Sequence, residues 1–322
     1  YGERMSFLQR VGNVVQILIT YFFAFTFVGP YDAVFQFHYP GMATMPKILP
    51  NVSLVFLNSE PLIDFPRPTS HKIVEIGGIS VSGGHKPLDK DWDELFTRRP
   101  QTVLLSFGTV ALAHLMPEEY KQTIRETFRK FPNVTFVWKY EKAEHEIGRG
   151  IDNIVPVTWV PQNDFLYDRR LSCFITHGGQ GSTTEATTAG VPLVVIPVAA
   201  DQQRNAQLIK RLGSGVVLQK TDLGEGEKLE KALREVLGNP SYTERARHTA
   251  EMIANRPFPV RDIFVRNMEL LARYGPLRML NHEGVNQSFI QYYLIDIFAA
   301  IAFAITASIF VTFFILRALL RV

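Results

Sequence analysis

The sequence predicts an α/β protein, a parallel sheet crossed by helices, on a chain that ends in a membrane-spanning helix. Three observations predict it. From Thr102 onward, apolar runs short enough to be buried strands alternate with helical stretches. Two of those runs, Leu171–Thr176 and Pro192–Ile196, bracket a Gly-punctuated helical segment, and such a strand–turn–helix–strand unit implies parallel pairing with a crossover helix. Finally, in Ile297–Leu316 only Thr306, Ser308 and Thr312 are polar. At about 1.5 Å per residue this run covers the roughly 30 Å of a bilayer's hydrocarbon.

The 322 residues are enough for about two domains. The net charge of +3 comes with no basic stripe, which argues against a nucleic-acid partner. Cys173 is the single cysteine, so no intrachain disulfide can form. That alone hints at a reducing compartment, although a large core needs no disulfides. The chain begins with Tyr1 and shows no signal peptide, so it reads as a fragment or a processed form.

Taken in order, Val14–Val28 is a Phe-rich apolar run, short for a span, that reads as a core helix or a membrane-facing patch, with Gly29-Pro30 ending it. Asn51–Asn58 and Ile73–Ile79 read as strands separated by the prolines Pro61, Pro66 and Pro68. A polar helix follows from about Asp89 to Thr97. Asp89-Lys90-Asp91 and Asp91-Trp92-Asp93 match a D-x-D metal pattern, but acids in a first helical turn explain them better. Thr102–Phe107 is a strand, and the turn Gly108-Thr109 after it lacks G-x-G-x-x-G, which counts against a dinucleotide oxidoreductase.

Pro117–Phe131 is then a helix, Val134–Lys139 a strand, and Glu141–Gly150 a charged loop. Beyond Pro192–Ile196 come a helix Gln202–Leu212 closed by Gly213, a strand Gly215–Leu218, a helix Glu225–Leu237, a helix from Pro240 to Asn255, and a last segment Arg261–Tyr274. Tyr292 and Tyr293 stand where interfacial aromatics belong. Arg317 and Arg321 follow the apolar run, which places the C-terminus in the cytosol and the bulk of the chain in a lumen. The sequons are at Asn51, Asn133 and Asn286, with Asn51 the best placed.

The chemistry concentrates in Val157–Leu208. His177-Gly178-Gly179 turns the chain from strand to helix, where glycines let backbone approach a ligand. Unpaired N–H groups at Gly181–Thr184, with the Ser182, Thr183 and Thr184 hydroxyls beside them, favour an anion at the positive end of the helix dipole. The bland alternative is an ordinary turn with a capping histidine. Trp159, next to Pro161, offers a face for a flat base. Glu185 is placed to accept from ribose hydroxyls or to be a solvated helix residue. Asp201-Gln202 follows the next strand, where ligands of open α/β sheets sit.

In order and spacing, Trp159-x-Pro161-Gln162, then His177-Gly178-Gly179-x-x-Ser182-x-x-Glu185, then Asp201-Gln202, resembles the donor-binding signature of the UDP-glycosyltransferases, the animal UDP-glucuronosyltransferases included. The resemblance implies a GT-B fold, two Rossmann-like domains of which the N-terminal one is incomplete here. The expected boundaries are 1–80 for the acceptor-side portion, 81–100 for a linker, 101–290 for the UDP-sugar domain, 294–316 for the transmembrane helix and 317–322 for a cytosolic tail. It implies that Trp159 stacks on uracil with Gln162 near the nucleoside, and that Glu185 binds the ribose. His177 and the amides around Gly178, Gly179 and Ser182 would hold the diphosphate with Thr109, and Asp201 and Gln202 the sugar. Many relatives carry Asn where this chain has Gly181, which removes one contact near the phosphates.

The reaction so implied is inverting transfer of a hexose, glucuronic acid favoured over glucose, to small lipophilic acceptors at the endoplasmic reticulum membrane. It uses no metal and no cofactor beyond the UDP-sugar co-substrate. The family's base, a histidine supported by an aspartate near the start of the N-terminal domain, has no match in this chain; His38 in FQFHYP does not fit it, and the other histidines look ordinary. The catalytic residue is thus unassigned and expected outside the chain. The alternative reading is a truncated, inactive, membrane-anchored partner of full-length relatives. Homo- or hetero-oligomers are left open, as are the acceptor and the partner of a donor carboxylate, for which Arg204 is the nearest cation in sequence.

Overall fold

A computed structural model describes residues 5–81 and 84–320, so Arg321 and the Gly83 end of the expected linker lie outside the described residues. By contacts the chain divides into two compact units, 1–25 with 56–269, and 26–55 with 270–322.

The elements begin with helix α1, Phe7–His38, which runs through Pro30. This corrects the expected stop at Gly29-Pro30: proline deletes one i→i−4 bond and crowds one carbonyl, and the rest of a 32-residue helix holds without it. Along α1, Val14, Val15, Ile17, Leu18, Tyr21 and Phe22 are exposed. A one-turn helix α2, Met45–Ile48, follows. Strands β1, Val55–Leu57, and β2, Ile73–Glu75, form a two-stranded sheet, shorter than the expected strands at both places.

Helix α3, Lys90–Thr97, starts at Asp89, whose carboxylate accepts from Trp92 N–H at 3.1 Å. Asp93 pairs with Arg170 at 2.8 Å, so two of the D-x-D acids have structural partners. Leu95 and Phe96 of α3 are buried in a core, inside the stretch expected to be linker.

The main sheet is built from β3 (Gln101–Ser106), β4 (Val134–Lys139), β5 (Ile154–Val157), β6 (Leu171–Thr176), β7 (Leu193–Val195) and β8 (Gly215–Val217). All pairings are parallel and the order is β5-β4-β3-β6-β7-β8. The first three strands step outward one way and the last three the other, so the direction reverses between β3 and β6, the doubly wound arrangement.

The crossovers and flanks are α4 (Glu118–Arg129), α5 (Gln162–Tyr167), α6 (Gln180–Ala189), α7 (Gln202–Leu212), α8 (Gly226–Gly238), α9 (Ser241–Ala254) and α10 (Val260–Tyr274). The short strand β5 and the helix α5 were not expected from the sequence.

Both faces of this sheet are dry, so its strands read as continuous apolar runs. Successive side chains go to opposite faces. Val103, Leu105, Phe136, Trp138, Cys173 and Ile175 join one core, under α4 and α8. Leu104, Val137, Phe174, Leu193 and Val195 join the other with α3, α5, α6 and α7. Phe128 of α4 stacks on Phe136 at a ring separation of 3.7 Å. Cys173 is fully buried, and burial pushes its thiol pKa up to about 12.

The second unit, taken by itself, includes the C-terminal part of α1, where Asp32 accepts from Met45 N–H at 2.7 Å. It also holds a one-turn helix α11, Phe289–Tyr292, capped reciprocally by Ser288 and Gln291, and α12, Ile295–Leu319. Every residue of α12 is exposed. Thr306 and Thr312 donate to the carbonyls of Ala302 and Ser308, each at 2.8 Å, so those hydroxyls need no water. By length and composition α12 is a candidate membrane span.

Asn153 ties the sheet edge to α4. Its side-chain amide donates to the Phe128 and Phe131 carbonyls, both at 2.9 Å, and it is buried. Asn153→Ala removes both bonds while each carbonyl keeps a backbone donor, Phe131 N–H and Val134 N–H, each at 3.0 Å, and we expect a loss of about 1–2 kcal/mol in urea-unfolding stability, roughly 1 kcal/mol per bond. A loss under about 0.5 kcal/mol, the range of ordinary surface changes, would show that the tie is dispensable.

Candidate active site

The sheet reverses direction between β3 and β6, and in such sheets the crevice lies beyond the carboxyl ends of those two strands. Ser106 of β3 pairs in register with Thr176 of β6. The turns that follow, Gly108-Thr109 and His177-Gly178-Gly179, therefore leave the sheet side by side.

The His177 imidazole fits between two glycines. A β-carbon built on Gly108 would lie 2.9 Å from His177 Cε1, and one on Gly179 would lie 2.5 Å from Nε2. Gly178 has φ +79° and a β-carbon there would meet Val195 at 2.7 Å. Glycine is thus required on conformational and steric grounds together. His177 is half-buried, and burial pushes its pKa below the ordinary value against an opposing upward push from Asp201. A neutral imidazole donates from one ring nitrogen only.

Gly179 is the N-cap of α6, so the free N–H groups of that helix open at the same turn. Ser182 is buried in its first turn, and Gly181 faces open space.

Two other expected residues, Gln162 and Glu185, meet Ser182 in a second cluster. Gln162, the first residue of α5, donates from Nε2 to Glu185 at 2.6 Å and to Ser182 Oγ at 3.3 Å. Trp159 lies three residues upstream and is 66% exposed, an indole with a free face. Asp201 stands at the N-cap position of α7, and its carboxylate accepts from the Asn205 amide at 2.9 Å. Gln202 Oε1 accepts from Val198 N–H at 2.7 Å and Ala199 N–H at 2.8 Å. That closes a turn in which Ala200 has φ +54°, a strained value for a non-glycine residue. Thr109 is exposed on the β3 turn.

Sequence reasoning missed two contributors. Asn205 is buried, and its amide also donates to the Gly178 carbonyl at 2.9 Å, which joins the histidine turn to α7. Its only sequence signal is its position four residues after Asp201. Lys139, at the end of β4, donates to the Gly108 carbonyl at 2.6 Å and lies 3.7 Å from Glu141. Burial works against the Glu141 charge. Hydrogen bonds from its own backbone and from His114, with Lys139 alongside, nevertheless hold its carboxyl below the usual range. His114 is thus a partner of Glu141, at 3.3 Å. Arg204 is held by Asp64 and lies over the Phe65 ring at 5.4 Å, so its guanidinium is already engaged.

This arrangement can bind a flat base on Trp159, hydroxyls at Gln162–Glu185, and an anion between His177 and the start of α6. Among the described residues no group of His, Cys, Asp and Glu is disposed to hold a metal ion.

Over residues 1–322 the chain matches the model of the family described as UDP-glucoronosyl and UDP-glucosyl transferase. A Caenorhabditis briggsae protein provisionally named UDP-glucuronosyltransferase ugt-47 is 32% identical over 84% of this chain and 52% of its own length. Human UDP-glucuronosyltransferase 1A4 is 27% identical over 97% of this chain and 58% of its own length. The chain therefore spans about half the length of the curated relatives it matches. The solved structure of the glycotransferase of kitacinnamycin superposes with TM-score 0.59 at 21% identity, over 82% of this chain and 66% of that one. Spinosyn forosaminyltransferase SpnP gives 0.56 at 21%, over 72% and 58%. At that identity the likeness is one of fold, the GT-B glycosyltransferase fold.

The histidine gives a titration prediction. Its depressed pKa means the unfolded chain binds the proton more tightly than the folded one, so the contribution of this group to stability is present in full above about pH 6.5 and falls as the pH drops from there toward its folded pKa. An NMR titration should place the His177 imidazole below the ordinary histidine value, and Asp201→Asn, which removes the opposing charge, should lower it further. A value at or above the ordinary one would overturn the burial argument.

Proposed function

This chain belongs to the UDP-glucoronosyl and UDP-glucosyl transferase family, and from that premise we propose that its main sheet carries the UDP-sugar site of a membrane-anchored enzyme that transfers a hexose to small lipophilic acceptors. One observation carries this reading: the His177 ring wedged between Gly108 and Gly179 at the point where the sheet reverses, with α6 opening at the same turn. In this reading Trp159 stacks on uracil, and Glu185 exchanges its bond from Gln162 for the ribose hydroxyls. The diphosphate lies against His177, the Gly178–Ser182 amides and Thr109. Asp201 and Gln202 face the sugar.

The acceptor nucleophile attacks the anomeric carbon in line as the bond to the UDP oxygen breaks, and the configuration inverts. Charge builds on the departing diphosphate, where fixed N–H dipoles and His177 stabilise it at no cost in reorganisation. The acceptor's proton leaves to a general base that none of the residues above supplies. The relatives' names favour glucuronic acid as the sugar, with glucose as the competitor. In the same reading α12 crosses the endoplasmic reticulum membrane, with Arg317 on the cytosolic side and the exposed sequon at Asn51 in the lumen.

The test is calorimetric titration of the full chain in detergent with UDP, UDP-glucuronic acid and UDP-glucose. We expect UDP binding, with the preferred sugar naming the donor. Trp159→Ala should weaken it by about ten- to a hundredfold, the worth of one base stack. His177→Ala and Asp201→Ala should abolish binding of the sugar nucleotide, and His38→Ala should change nothing. No binding by the folded chain would favour the inactive, anchored interaction partner instead.

A further inference from the structure

A cavity of about 490 Å³ opens at the other end of the main sheet, beside the first residue of β6 and the residue before β7, Leu171 and Pro192. It is as far along the strands as possible from the glycine turns, and nothing in the donor reading uses it. Its size is that of a small-molecule site.

Two features of the lining point to a ligand class. Arg169 and Arg247 both face the cavity, one from the turn before β6 and one from α9, and among the described residues neither makes an ion pair or a side-chain hydrogen bond. The one acid in the lining, Asp168, is already neutralised: Arg170 donates to its two oxygens at 2.9 Å and 2.6 Å, and this bond holds its carboxyl below the usual range. The remaining charge is therefore positive and unspent. Part of the remaining wall is flat: His85 stacks on Tyr167 with rings 4.4 Å apart and 6° from parallel, and Val191 and Ala250 add apolar surface beside the polar Thr243. The Arg247 stem lies close over Gly190, where an added β-carbon would come within 3.4 Å of its Cγ.

We propose that this cavity is a second ligand site, which takes a small organic anion with a flat apolar body, an aromatic carboxylate or phosphate ester. The anion pairs with Arg169 and Arg247, and the body lies against the Tyr167 side of the stack. The site stands independently of the UDP-sugar reading.

The test is titration of the full chain with 1-naphthoate, 1-naphthyl phosphate and the uncharged 1-naphthalenemethanol, each with and without saturating UDP. Both anions should bind saturably at one site, unaffected by UDP, and the alcohol at least about tenfold more weakly, since charge-assisted bonds are the stronger ones. A tighter phosphate identifies an ester as the natural class, and equal affinities identify a carboxylate. The double variant Arg169→Gln, Arg247→Gln should lose about a hundredfold, roughly tenfold for each charge-assisted contact. Both arginines are exposed, so the variant should keep the parent's thermal unfolding. Undiminished affinity in that variant, displacement of the anions by UDP, or no saturable binding by the folded chain would each overturn the proposal.

Discussion

The parallel pairing of β3 with β6 is the constraint on which the rest depends. These strands are consecutive in the sheet but about seventy residues apart in the chain, and only their pairing brings Gly108 against His177. Three glycines then follow as necessities of one contact: Gly108 and Gly179 because the imidazole occupies the space of their side chains, and Gly178 because the chain must turn with positive φ against Val195. α6 starts where that turn ends, so its free amides are aimed by the same geometry.

The polar side chains of the site are not idle in this structure. Gln162 is bonded to Glu185, Gln202 closes the 198–202 turn, and Asn205 joins Asp201 to the Gly178 carbonyl. A ligand that engages them exchanges existing hydrogen bonds for new ones, and such exchanges are worth only about 1 kcal/mol each. In the proposed function, affinity then comes chiefly from the exposed Trp159 face and from the charge placed at the start of α6. The polar groups set orientation.

The main sheet was largely legible in the sequence, and its gaps have physical reasons. Val134–Lys139, Leu171–Thr176 and Gln202–Leu212 were read with their observed ends, since each is a full apolar strand or a helix closed by glycine in the left-handed region. β5 escaped because four residues including Pro156 carry little pattern, and an edge strand tolerates proline. α5 escaped because its six residues begin inside the Trp159–Gln162 motif. In the candidate site, the residues proposed to touch a ligand are those that the motifs single out by type and spacing. Those that hold the turns in place, Asn205 and Lys139, are not singled out, because their partners are backbone carbonyls that no sequence pattern reveals.

Cys173 lends the molecule a property unrelated to its chemistry. It is the only thiol in the chain, it lies on a central strand with no exposed surface, and it resists ionisation up to about pH 12. An alkylating reagent therefore reaches it only when β6 leaves the sheet. The rate of labelling at this one position is a clock for opening of the strand that leads into His177.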